Sequence, residues 1–306
     1  MKILVTGGAG FIGSHIAEYL VQRGDNVTVS DNLSNGKIQN ISKVSDDINF
    51  VKGDVRDYKL VEQLVKDVDG VFHEAALVSV PESFKMQSEY FDVNVNGTKN
   101  MLKLAKEYGF KIVFASSSSV YGNPKHIPIK ETDERNTINP YAQTKLKTEF
   151  LAEEYSKNGV RVIGLRYFNV FGRRQSKEYA GVIKLFLERI QQNKAPIING
   201  DGSQTRDFVY VEDVVQANIL AMDSNIKHQF FNVGIGSSIS ILDLANMIIH
   251  ASNLSFKPIH DPPLPGDILD SKADLELIKK SLEWKPTTKL EDWLVQVILS
   301  KNFKDI

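Results

Sequence analysis

The chain contains no cysteine in its 306 residues. Disulfides, thiolate catalysis and cysteine-ligated zinc are therefore excluded, and no metal site is read elsewhere. The absence fits a reducing, cytoplasmic interior. An excess of charge of one sign is also missing, since 37 Lys and Arg offset 38 Asp and Glu for a net charge of −1. That balance gives no reason to expect nucleic acid or an anionic membrane as a partner. No apolar run approaches the length of a membrane span. The start reads as a strand rather than a basic and then apolar signal, so no export segment is expected. Repeats and low-complexity stretches are absent as well. What is left, 42% hydrophobic and 25% charged residues, is the composition of a globular protein with one large domain or two moderate ones.

Strand and helix patterns alternate along the first half. Apolar strands are expected at 2–6, 26–30, 48–52, 70–74, 111–115 and 160–166, and helical periodicity fills 11–23, 57–67, 87–108 and 140–157. Gly24, Gly109 and Gly159 follow three of these helices, as stop signals should. Such alternation implies a parallel sheet covered on both faces, with ligands at the carboxyl ends of its strands. The rhythm loosens after about residue 166, where a second, smaller domain is expected.

The first strand runs straight into Gly7, Gly10 and Gly13, in GGAGFIG, and then into a helical pattern. A glycine turn between a buried strand and a helix lets backbone amides approach a pyrophosphate at the positive end of the helix dipole. Its spacing is GxxGxxG rather than the commoner GxGxxG, and three glycines are often only a turn. Asp31 strengthens the dinucleotide reading. It ends the second strand about twenty residues on, where a carboxylate accepts from an adenosine ribose and repels a ribose phosphate. NAD is thereby favoured over NADP, although the nearby Lys37 would tolerate a phosphate. Asp54, after the third strand, is placed to accept from an adenine amino group or to cap the helix near Asp57.

Two further segments carry chemistry. FASSSSVYG, Phe114 to Gly122, follows the fifth strand, and NPYAQTK, Asn139 to Lys145, opens a helix. Asn139 suits the N-cap and Pro140 the first helical position. Tyr141 and Lys145 then lie one turn apart on one face. An ammonium near a phenol favours phenolate, as does the positive ring of an oxidised nicotinamide, so Tyr141 is a candidate general base. Taken singly, YxxxK is common on helices and serine runs are mostly turns.

These motifs resemble those of the extended short-chain dehydrogenases/reductases, specifically the UDP-glucose/UDP-N-acetylglucosamine 4-epimerase type. The resemblance runs nearly end to end: GGAGFIG, Asp31-Asn32, GDVRD, FHEAALVSVPES, NVNGT, SSSSVYG, YAQTK, LRYFNVFGRRQ, GDGSQTRDFVYVEDV and PGDILDSKAD. It implies an α/β fold, a Rossmann-type doubly wound parallel sheet with a smaller mixed α/β C-terminal substrate domain. Residues 1–165 would bind NAD, with 207–234 returning to that domain, while 166–206 and 235–306 would bind the nucleotide sugar. Ser117, Tyr141 and Lys145 are the implied catalytic residues. The implied cofactor contacts are Gly7, Gly10, Phe11, Ile12, Gly13, Asp31, Asn32, Asn35, Asp54, Val55, Ala75, Ala76, Asn94, Tyr141, Lys145 and Tyr167. In related 4,6-dehydratases, Asp and Glu follow the catalytic hydroxyl. Ser118 and Ser119 stand there in this chain, which removes the machinery for dehydration.

For the substrate, the resemblance implies Ser117, Tyr141 and Asn169, the last near the diphosphate, together with Val182 near the uracil. It adds Arg206 on the diphosphate and Asp267 on the uridine ribose. The family usually carries a second diphosphate arginine two positions before Gly266, where this chain has Leu264, so either Arg173, Arg174 or a lysine compensates or nucleotide binding is weaker. Ser271 occupies a position that is a bulky tyrosine in epimerases restricted to plain hexoses. Its small size implies room for UDP-GlcNAc/UDP-GalNAc, with UDP-Glc/UDP-Gal also admitted. Ser271 has a second reading as a cap for the following helix. A nucleotide-sugar reductase or dehydrogenase, and a non-catalytic NAD-binding sensor, are the alternatives on this scaffold. A homodimer through the helices at 87–108 and 140–157 is the implied assembly.

Overall fold

The computed structural model describes residues 1–175, 181–264, 266 and 268–300. Apolar runs without strict alternation suit strands covered on both faces. Strand β4 (Gly70–His73) is buried throughout, as is β6 (Val162–Tyr167), and only the first residue of β1 (Lys2–Thr6) is exposed. Joined by β2 (Asn26–Asp31), β3 (Ile48–Lys52), β5 (Lys111–Ser117) and β11 (His228–Val233), they form a seven-stranded sheet in the order β11-β6-β5-β4-β1-β2-β3. Every pairing in it is parallel, with Thr6 opposite Ser30 on one side and His73 on the other. Strand order reverses between β1 and β4, so a crevice opens beyond their carboxyl ends. The short strands β7 (Asn169–Phe171), β8 (Ile197–Asn199), β9 (Thr205–Arg206), β10 (Phe208–Tyr210), β12 (Ile239–Ser240) and β13 (Ile259–Asp261) pair among themselves.

Alternate residues of β1 face opposite layers. Ile3 and Val5 pack with Ile16 and Leu20 of α1 (Phe11–Arg23) and Val214 of α8 (Val211–Asp223). On the other face, Leu4 packs with Val61 of α2 (Tyr58–Val65) and with Met101 and Leu104 of α5 (Gly97–Tyr108). Ala152 of α6 (Pro140–Ser156) joins this layer. A separate core gathers Phe186 of α7 (Val182–Gln191), Leu244 and Ile248 of α9 (Ile241–Ala251) and Trp293 of α11 (Leu290–Ser300). Leu275 and Trp284, which flank α10 (Glu276–Leu282), lie in the first layer with α1 and α8. The Trp284 indole donates to Asp213 O at 2.9 Å, and the Asp213 carboxylate accepts from Thr287 and Thr288, which ties the segment after α10 to α8.

The helix expected over 87–108 forms without a break, but its winding changes along the way. Following α3 (Val80–Lys85), α4 (Gln87–Tyr90) passes through a wide π turn at Phe91–Asn96 before α5 begins. Such turns often mark functional segments. This one carries Asn94, whose carbonyl accepts from the Thr98 hydroxyl at 2.6 Å. No described helix is long and apolar enough to cross a membrane.

Candidate active site

The glycine turn lies between β1 and α1 and is packed hard against β4. Gly7 takes φ +67°, a conformation that favours glycine, and a Cβ there would meet Ala75 N at 2.6 Å. A Cβ on Gly13 would meet Gly7 O at 2.3 Å, so helix and turn touch through backbone alone. Helix α1 has no side-chain cap and no acid in its first turn, leaving its positive end to a ligand. A cavity of about 330 Å³ opens there and runs from Asp31 and Asn35 past Ala75 and Ala76 to Ser117, Tyr141, Lys145 and Tyr167. This long backbone cradle, with a carboxylate at one end and a tyrosine and lysine at the other, fits a dinucleotide.

Asp31 is buried and partly committed to its own loop. Its carboxylate accepts from Ala9 N at 3.0 Å and Leu33 N at 2.8 Å, while burial pushes its pKa up. Asp54 accepts from Asn32 at 3.0 Å and from Arg56 at 2.7 Å, and that guanidinium holds its carboxyl well below the usual range. The cap of α2 is Asp57, which accepts from Leu60 N, so Asp54 is free of that duty. Asn94 does not line the cavity. Its amide bonds Leu77 N and O at 2.8 and 3.0 Å and Thr144 Oγ1 at 3.0 Å, and so fixes the Ala75–Leu77 wall to α6. In this arrangement Asn94 holds the wall next to the cavity.

Ser117, Tyr141 and Lys145 are brought together. Asn139 caps α6 by accepting from Ala142 N at 2.8 Å, with Pro140 in the first turn. Ser117 and Tyr141 line the same cavity, and Lys145 Nζ lies 5.9 Å from the Tyr141 ring centre while donating to Ala115 O at 2.8 Å. Burial pushes the Tyr141 phenol up to about 12, against the pull of Ser117, and pushes Lys145 down to about 8, against the pull of Glu74. Desolvation dominates at the phenol, and the Lys145 ammonium is aimed at a backbone carbonyl.

A second cavity of about 250 Å³ shares Ser117, Tyr141, Tyr167 and Phe168 with the first and continues to Asn169, Arg206, Leu264 and Ser271. Arg206 Nη1 donates to Thr205 O and Ile268 O, both at 2.7 Å, which sets the guanidinium in the wall. Ser271 is 4% exposed, and its amide donates to Thr205 Oγ1 at 3.3 Å. It caps nothing, because α10 begins five residues later, at Glu276. Val182 opens α7 and packs on the separate core rather than on either cavity wall. Asp267 lies outside the described residues. Arg173 and Arg174, the candidates to stand in for the arginine missing at Leu264, both have partners elsewhere. Arg173 pairs with Glu212 at 3.1 Å, and Arg174 pairs with Glu18 and bonds Ser14, so both are spent on α8 and α1. Several wall residues escaped the sequence reading, the charged Arg56, Glu74 and Glu89 among them. A lone acid in the apolar run FHEAA was the available signal for Glu74.

Comparison with known proteins agrees with this geometry. The model of the NAD dependent epimerase/dehydratase family matches residues 3–234. The chain belongs to that family. It is 41% identical over 305 residues to a putative UDP-glucose 4-epimerase of Methanocaldococcus jannaschii, covering 97% of each chain. It is also 36% identical to a UDP-N-acetyl-alpha-D-glucosaminuronate decarboxylase of Bacillus cytotoxicus, covering 97% of this chain and 96% of that one. Among solved structures, the UDP-N-acetylglucosamine 4-epimerase of Methanobrevibacter ruminantium M1, in complex with UDP-N-acetylmuramic acid, superimposes with a TM-score of 0.91. Identity is 36%, and 98% of each chain is covered. The cofactor of this family is NAD, and the glycine turn and Asp31 are the residues that would hold it.

Proposed function

We propose that the chain is a UDP-sugar 4-epimerase that interconverts UDP-GlcNAc and UDP-GalNAc and also accepts UDP-Glc and UDP-Gal. The observation that carries this reading is the position of Ser117 and Tyr141 on the wall shared by the two cavities, with serines rather than acids at 118 and 119. Tyr141 accepts the proton of the sugar 4′-hydroxyl and later returns it, while Ser117 holds that hydroxyl. When bound, NAD supplies the reversible oxidant for C4′. With a resting value near 12, the phenol needs extra positive charge to ionise. Lys145, predominantly protonated at neutral pH with a value near 8, is one source of it. Arg206 faces the diphosphate, since a guanidinium fork matches phosphate oxygens. Ser271 leaves room for an N-acetyl group. Exposed Phe91 and Phe150, on the two helices expected to pair, are consistent with a homodimer.

The test is to purify the protein, identify the nucleotide released on denaturation, and assay UDP-GlcNAc, UDP-Glc and the uronate sugars separately without added cofactor. Epimer formation with no net NADH is expected. Tyr141→Phe should abolish turnover and keep the nucleotide. Carbon dioxide release from a uronate, or stoichiometric NADH, would replace the epimerase reading with a decarboxylase or dehydrogenase.

A further inference from the structure

Glu74 is a charged residue in an apolar segment, and its placement is built. Its amide donates to Thr6 O at 3.1 Å, which fixes it at the carboxyl ends of β1 and β4 against the glycine turn. Its side chain lines the cofactor cavity, where Oε1 accepts from the Tyr167 hydroxyl at 3.0 Å. The same hydroxyl accepts from Asn218 Nδ2 at 2.8 Å, so Glu74 is held from β6 and α8 together. Two other ionisable side chains on that wall concern the reaction directly, Tyr141 and Lys145. Glu74 and Lys145 each shift the other's titration, yet the Lys145 ammonium is bonded to Ala115 O.

The two redox states of a nicotinamide ring differ by one unit of positive charge. A lysine near the ring favours the reduced, neutral form, and a carboxylate favours the oxidised one. The epimerase chemistry needs Lys145 for its phenol and an oxidised ring at the start of each turnover, and these two needs conflict. We propose that the Glu74 carboxylate offsets Lys145 and biases the bound nicotinamide toward its oxidised form. Burial lifts Glu74 to about 7, against the pull of Tyr167 and Lys145, so the bias acts in the neutral range. The titratable groups that face it are Tyr167 on β6 and Lys145 on α6, while Asn218 and the glycine turn bring no net charge. The inference concerns the cofactor alone, so it stands or falls separately from the identity of the sugar.

Glu74→Gln keeps an acceptor for the Tyr167 hydroxyl and removes the charge. In an anaerobic redox titration of the holoenzyme at about pH 7, read by the near-ultraviolet absorbance of the reduced ring, it should raise the midpoint potential by about 30 mV. That is a tenfold shift toward the reduced form for a two-electron couple, the order expected of one charge across a protein cavity. Glu74→Asp should stay with the wild type. An unchanged potential in Glu74→Gln overturns the proposal. If that variant does not fold, the wild type decides. Between about pH 6 and pH 7, below the range of Lys145, its potential should fall more steeply than the ~30 mV per unit of the free couple, because reduction draws a proton onto Glu74. A slope equal to that of the free couple overturns it.

Discussion

Replacing Gly13 by alanine adds one methyl group at the tightest point of the fold. The new Cβ would lie 2.3 Å from Gly7 O, 2.9 Å from Gly7 C and 2.9 Å from Gly8 Cα. None of these atoms can give way. The Gly7 amide donates to Ser30 O at 2.8 Å, its carbonyl accepts from Gly10 N at 3.0 Å, and Ala75 closes the other side. Helix α1 must therefore move off the turn. Overpacking of this kind costs about 1–3 kcal/mol, partly offset by a gain of up to about 1 kcal/mol for alanine over glycine in a helix. A net loss of about 1–2 kcal/mol is expected, with a Tm lower by a few degrees. Gly24→Ala is the matched control. Gly24 has φ +86° and open space around it, so alanine costs only left-handed backbone strain of about 1–2 kcal/mol. Both variants should lose similar stability, but only Gly13→Ala should lose NAD affinity, by at least about tenfold, because charge-assisted amide contacts to the pyrophosphate are sacrificed. Thermal unfolding and chromatography of the released nucleotide read the two effects. Wild-type nucleotide content and affinity in Gly13→Ala would refute the argument that the turn is a cofactor cradle.

Ser271→Tyr should lower kcat/KM for UDP-GlcNAc about ten- to a hundredfold relative to UDP-Glc, as expected for about 1–3 kcal/mol of crowding in a closed pocket. Equal loss on both sugars would show that Ser271 does not face the 2′ substituent. Glu74 also makes a prediction for stability in the nucleotide-free protein. Its folded pKa, near 7, lies above its ordinary value of 4.5, so its contribution is fully present below about 4.5 and is lost as pH rises through 7. Glu74→Gln has no such titration. The stability difference should therefore move in favour of the variant by about 1–2 kcal/mol between about pH 5 and pH 8, after allowing for solvent screening. Parallel Tm profiles for the two proteins would remove Glu74 from the buried titrating groups.

Much of the site was legible because its parts are local. The cap Asn139, Pro140 and the Tyr141–Lys145 spacing are features of one helix, and the structure places them as read. Asp31 was readable for a similar reason, since it terminates a strand next to the turn it serves. What the sequence did not show is the packing of residues whose partners lie across the fold. Asn94 bonds Leu77 and Thr144, 17 and 50 residues away. Arg174 pairs with Glu18, 156 residues back. Leu77 and Thr144 sit in two of the motifs, but nothing in either motif says that Asn94 joins them.

The order of residues by itself determined the strand–helix alternation, the glycine turn and the spacing of tyrosine and lysine, because backbone geometry and helical periodicity act over a few residues. Which surfaces became cavity walls, and which charges lost their water, was decided only by tertiary packing. The Glu74–Tyr167–Asn218 chain joins three elements. The resting values near 12 for Tyr141 and 8 for Lys145 follow from burial beneath segments that are remote in sequence. Desolvation belongs to the assembled interior, and no local pattern encodes it.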